Sequence, residues 1–322
     1  MSIGLHAGST TVGKSAASSR RVKAGESIQA EIERAAAGDT VTVDPGVYHE
    51  TVIIDKPLTL TSAAGPGTTI IRADASRFAY RDIPTDDIIV GAINVVRTAN
   101  VKVEGFTVTD ALEGIWLSNS RDTIVQRCVA HGNQSSGFYY WACQEGLVSR
   151  CVGYDNAVGA YEGQSWNVSI QDCCFHANRG GRAPHLGGRY GLEFPGIGIL
   201  CGNRSALGRI EGCTVTANAD AGIQINVQVR NKEVRKCLIS ANRIGLALGE
   251  RVSEASGCNI TGNREFGLSS SLPVDARRNW WGHPGGPAGA GPGQGDRVTE
   301  QVEFDPWLKR PADVPNCRLA RI

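Results

Sequence analysis

Two histidines and a tyrosine stand at matched places in this chain. His131, Tyr154 and His176 each follow a cysteine by three residues, after Cys128, Cys151 and Cys173. Imidazole changes charge near neutral pH, and a phenol can hand a proton on. Together they suit general acid/base work, in which a proton is taken from a substrate and returned to it. If the three stand on adjacent extended strands, the histidines are about 9–10 Å apart. They can then flank a substrate or work through Tyr154. A solvated ladder of the same residues is the alternative reading. Arg127 and Arg150 point outward from this strand too, and a guanidinium fork suits a carboxylate or phosphate.

A second set is aromatic. Trp116, Tyr139 and Tyr161 take the same outward position in consecutive repeats, and Trp141 is the next outward residue after Tyr139. Rings on strands about 4.8 Å apart stack into a stripe. It can form the floor of a groove for a sugar-like or planar ligand, or a small core buried by overlying loops. Long interruptions at 73–90 and 179–196 supply such loops. The first holds Tyr80 and Arg81, and the second holds Arg182 and His185. Glu162 falls in a register position that otherwise points inward. It implies a local bulge or an acid with a perturbed pKa.

The positions that hold these residues come from a repeat. Cys128, Cys151, Cys173, Cys213, Cys237 and Cys258 each precede an asparagine by five residues, at 133, 156, 178, 218, 242 and 263. Successive cysteines are 23, 22, 40, 24 and 21 residues apart. That period belongs to a solenoid in which each repeat is one coil. Within a coil, V/I-x-x-C is followed two residues on by a small or apolar residue and five on by Asn, then G-I-x-L, as in IEGCTVTANADAGIQI at 210–225. Alternation with period two, broken by turns, means strands. The cysteines read as small buried residues without partners, and the asparagines as a ladder at a tight turn.

With its asparagine turns, an opening stretch SIQAEIERAAAGDTVTVDPGVYHETVIIDKPLTLTSA (27–63) and a closing stretch RNWWGHPGGPAGAGPGQGDRVTEQVEFDPWL (278–308), the chain resembles the pectate-lyase-like superfamily. The resemblance implies an all-β, right-handed parallel β-helix over residues 22–308. A helix near Ser27–Ala37 would cap its open end, with a flexible N-terminal tail at 1–21 and a C-terminal tail at 309–322. It implies no single reaction, because such folds host lyases, hydrolases, epimerases and binders.

Other motifs fall away. GSTTVGKS (8–15) spells a phosphate-binding loop but lacks the preceding buried strand and the following helix. No C-x-x-C pair proposes zinc. With 33 basic and 32 acidic residues, the chain has no charge excess to hold nucleic acid or a membrane surface. No apolar leader is seen at the N-terminus, which with unpaired cysteines points to the cytoplasm. No cofactor is called for, a divalent cation stays open, and oligomeric state has no signal. The sequence thus leads to a lyase-, isomerase- or cyclase-type enzyme of a biosynthetic pathway, acting on an anionic or polyhydroxylated small molecule bound in the aromatic groove. Its acid/base set is His131, Tyr154, His176, Glu162 and His185, and its binding set is Trp116, Tyr139, Trp141, Tyr161, Arg127, Arg150, Arg182, Tyr80 and Arg81. A non-catalytic carbohydrate-binding protein is the alternative.

Overall fold

The computed structural model describes residues 18–73, 89–183, 192–249 and 254–317. The chain winds as a three-faced solenoid. One coil runs through Arg121–Gln126 on the first face, Val129–His131 on the second and Ser136–Trp141 on the third. Among the described residues the first, second and third faces hold ten, nine and eleven strands. Along the stacked coils the pairing is parallel, as between Val129–His131 and Val152–Tyr154.

Short strands need sharp corners, and single residues with positive φ supply them. Arg127, Arg150 and Asp172 have φ of 51°, 52° and 53° at the corner between the first and second faces. Each such non-glycine residue costs about 1–2 kcal/mol. The ladder cysteine that follows turns inward and offsets this by burial. Cys128, Cys151, Cys173, Cys213, Cys237 and Cys258 are all buried and free of disulfides. Burial pushes the thiols of Cys151, Cys173, Cys213 and Cys237 well above their usual range, so these sulfurs are inert packing groups.

The asparagines stack at the next corner as expected. The Asn133 amide donates to Asn156 Oδ1 at 3.0 Å, Asn178 to Asn218 at 2.9 Å and Asn218 to Asn242 at 3.0 Å. Asn263 ends the row on Asp296 Oδ2 at 2.7 Å. Both insertions interrupt this same corner, between the second and third faces.

A helix, Ile28–Arg34, covers the first coil. The Ser27 hydroxyl accepts from the Ala30 amide at 3.1 Å, and Glu50 takes the Ile28 amide at 2.7 Å. Ile28 and Ile32 close the core from above. The first strand, Ser19–Val22, begins ahead of the expected boundary and pairs with Thr40–Val43. At the far end Trp281 is fully buried, and Phe304 and Trp307 pack against the core.

The C-terminal segment is not a free tail. It runs back along the second face, where Ala312 exchanges two hydrogen bonds with Asn259, at 2.8 and 2.9 Å. Farther on, the Cys317 amide donates to Thr214 Oγ1 at 3.0 Å, and Cys317 is disulfide-bonded to Cys174. The six ladder cysteines stay unpaired as expected, and the disulfide joins two cysteines outside the ladder. Cys173 turns in and Cys174 turns out, which leaves Cys174 open to a partner. The paired cysteines also withdraw one of the arguments for a reducing compartment.

Candidate functional site

On the second face the middle residue of each strand points inward and its neighbours point out. Ala130 and Phe175 are buried, whereas His131, Tyr154 and His176 are half-buried on the outside. Register makes them one column, with His131 beside Tyr154 and Tyr154 beside His176. The rings lie face to face, with centroids 4.8 and 5.2 Å apart and planes within 10° and 6°. Thr109 and Thr216 extend the column on either side.

Partial burial sets the protonation of this stack. It lowers the pKa of both imidazoles, against the pull of Asp110 and Asp155 on His131. It raises the phenol of Tyr154, helped by Asp155. Two neutral imidazoles, which can accept protons, thus flank one protonated phenol, which can donate. His176 Nε2 is buried and has no hydrogen-bond partner among the described residues. Ion pairs border the column. Arg72 meets Asp110 at 2.9 Å, and Arg179 meets Asp155 at 3.4 Å. Sequence reasoning placed Arg179 in the second insertion but missed Arg72, Asp110 and Asp155, although Asp110 and Asp155 directly follow the column positions.

The base of the second insertion leans over the same corner. Gly181–Ala183 and Leu192–Phe194 form an antiparallel hairpin, with Arg182 opposite Glu193. A side chain at Gly181 would come within 2.9 Å of the Gln134 carbonyl, so the hairpin sits close against the coils that carry His131 and Tyr154. Arg182 is exposed there. His185, Tyr80 and Arg81 lie outside the described residues.

Arg127 and Arg150 stand at the opposite border of the second face, four residues before His131 and Tyr154. That is about 13 Å along an extended chain. Arg127 is paired with Glu104. The two arginines and the histidine column therefore do not converge.

The aromatic stripe exists, but it is not an open groove. Trp116, Tyr139 and Tyr161 are in register, with successive centroids 4.4 Å apart. Their exposures are only 4%, 1% and 5%. Ile89, Val90, Leu112 and Phe194 join them in a second hydrophobic cluster, and Trp141 packs at its edge. The expected groove floor is thus corrected to a satellite core, closed in part by the described ends of both insertions. Burial pushes the Tyr161 phenol up to about 12, and its oxygen accepts from the Asn203 amide at 2.6 Å.

Glu162 is also relocated. Its strand does not bulge, because it pairs in register with Tyr140 and Cys201. The carboxylate points into the core, 1% exposed, and meets Lys232 Nζ at 2.5 Å. Lys232 is wholly buried and also donates to the carbonyls of Val168 and Leu207, each at 2.8 Å. Burial raises the pKa of Glu162 while Lys232 opposes it. This pair lies inside the solenoid, away from the outward columns, so Glu162 leaves the acid/base set. Register held the clue to its partner, since Lys232 lies two residues before inward Val234.

Among the described residues, no group of three or more His, Cys, Asp or Glu side chains is arranged to hold a metal ion. None of the helices described is long and apolar enough to cross a membrane.

Coils of this shape, with an outward titratable column on one face, define a parallel β-helix protein. The chain matches the right handed beta helix region family over residues 91–264, more than half its length, and belongs to that family. Solved structures agree on the fold. The A-module of mannuronan C-5 epimerase AlgE4 from Azotobacter vinelandii is 14% identical, covering 90% of this chain and 94% of its own, with a TM-score of 0.54. An alginate lyase from Paenibacillus sp. str. FPU-7 is 10% identical, covering 89% and 99%, with a TM-score of 0.55. XylC in complex with xylose is 10% identical over 81% and 69%, with a TM-score of 0.55. No curated protein matches the sequence.

Proposed function

We propose that this protein is a saccharide-acting enzyme of the lyase or isomerase type, with the His131–Tyr154–His176 column as its acid/base centre. One observation carries the reading: two imidazoles flank a phenol in a stacked, in-register column on one outward face, with ring centroids 4.8 and 5.2 Å apart, and partial burial favours the neutral imidazoles and the protonated phenol. A neutral imidazole takes a proton from an acidic C–H, and the phenol returns one to carbon or to a leaving oxygen. In a sugar the most acidic C–H is the one beside a carboxylate, so a uronate is the fitting substrate. Arg72 and Arg179 at the border are exposed and can hold its carboxylate by exchanging their Asp110 and Asp155 partners for it. Fold relatives named as an epimerase of mannuronan and a lyase of alginate support this class of chemistry.

Incubation with uronate oligosaccharides in heavy water tests it. The wild type is expected to incorporate deuterium or release an unsaturated product, read by mass spectrometry. His131→Ala with His176→Ala should abolish both, and Tyr154→Phe should lower turnover at least tenfold. Undiminished turnover in the double variant would make the column structural.

A second reading rests on a separate observation. A cleft of about 510 Å³ opens on the third face past the stripe, lined by Asn203, Gln224, Asn226 and Ser269–Ser271. Its Arg243 is already held by Asp220 and Glu265. Amides and hydroxyls without a spare charge suit a neutral sugar. Binding of neutral oligosaccharides there, with no product formed from any of them, would favour a non-catalytic carbohydrate-binding protein.

A further inference from the structure

The corner between the first and second faces holds a cleft of about 470 Å³ that the proposed acid/base column does not use. Arg127, Arg150 and Asp172 form one rim, in consecutive coils. Pro66 lies on one wall, and the C-terminal residues Pro315 and Cys317 form the other. The second wall exists because the chain end is strapped down. The disulfide joins residues 143 apart, and Thr214 binds both the Pro315 carbonyl, at 3.3 Å, and the Cys317 amide, at 3.0 Å. A Cβ at Gly212 would lie 2.5 Å from Asp172 Oδ1 and in ordinary contact, 3.5 Å, with Pro315 Cγ, so the glycine makes room for Asp172 at the rim.

The charges in the cleft are unequally committed. Arg127 is engaged by Glu104, which also holds Lys102 at 2.5 Å. Asp172 is turned along the rim toward Gly212. Arg150 makes no side-chain hydrogen bond or ion pair with any described residue, and it is exposed. An uncommitted guanidinium beside proline and sulfur walls suits a ligand with an anionic head and an apolar body.

We propose that this cleft binds such an amphiphilic anion, and that the Cys174–Cys317 link makes binding depend on redox state. All eight other cysteines are buried and unpaired, so this link is the place where a thiol reagent acts on the folded chain. A dithiol reductant would break the Sγ–Sγ bond, supplying two electrons and two protons. The products are the Cys174 and Cys317 thiols and the reductant's own disulfide. What then holds the wall is a few hydrogen bonds at the surface, each worth little net.

Naphthalene-1-sulfonate is the probe, with calorimetry as the readout. The oxidised wild type should bind it. Arg150→Ala should weaken binding at least tenfold, as should dithiothreitol treatment or Cys317→Ser. Melting curves check that the variants fold, and the reduced wild type serves if Cys317→Ser does not. Thiol titration of the unfolded, unreduced protein should find eight free thiols of the ten cysteines. A count of ten overturns the strap. Absence of binding to the oxidised protein, or equal affinity in Arg150→Ala, overturns the ligand. Equal affinity after reduction and in Cys317→Ser overturns the redox dependence.

Discussion

His131 and His176 show how little of a residue's chemistry its type decides. Their spacing from Cys128 and Cys173 was legible and gave the outward column directly. Their protonation was not, because it follows from partial burial, which lowers both imidazoles and which Asp110 and Asp155 oppose only at His131. Both folded-state values lie below the ordinary 6.5. The unfolded chain therefore takes up protons first as pH falls. Their contribution to stability is full above about pH 6.5 and declines as pH drops through the window beneath it. Nuclear magnetic resonance titration of the ring protons should give midpoints under 6.5 for both, and denaturation midpoints should fall over the same range. Glu162 teaches the same lesson from inside. Its inward position was legible, but its partner lies 70 residues on. Lys232→Met would strand a buried carboxylate and should destabilise the fold by about 3–5 kcal/mol in urea titrations. Adding Glu162→Met should recover most of that loss. If the double variant is no more stable than Lys232→Met, the ion pair is not what Lys232 is there for.

At the scale of elements, the strands and corners were readable because inward residues repeat with the coil. Val125, Val148, Ile170, Ile210 and Val234 hold one inward row, and the asparagines mark the turn after the second face. What covers a face was not readable. Trp116, Tyr139 and Tyr161 have the same outward register as a binding stripe would, and only the packing of Ile89, Val90 and Phe194 makes them a core. The satellite cluster should therefore answer to stability. Tyr139→Ala is expected to cost about 3–5 kcal/mol, as for other large aromatic truncations in a core. Tyr139→Phe keeps the ring and should cost far less. Melting temperatures of the pair decide it. A Tyr139→Ala protein that melts like the wild type but loses ligand would restore the groove.

Across the whole molecule, stability is close to a sum of coils and their interfaces, so the ends matter most. Each open end presents unpaired strand edges from three faces together with core side chains. The helix Ile28–Arg34 closes one end, and Trp281, Phe304 and Trp307 close the other. The last long strand of the third face, Phe266–Ser270, continues onto Gly295–Val298. A chain stopped after Ser271 would lack that continuation and would expose Cys258, Ile260 and Leu268, the inward residues of its last coil, at the end of the core. Edge pairing between molecules then becomes the easiest way to satisfy those strands. By contrast, a chain stopped after Leu308 loses the strap but keeps every residue of the closing cap. Size-exclusion chromatography at matched concentration should separate the cases. The longer truncation product should elute where the full chain does, and the chain ending at Ser271 should run as large assemblies or precipitate. Elution of the shorter chain as a compact species of the same assembly state would mean that the coils, and not the cap, keep this solenoid from growing end to end.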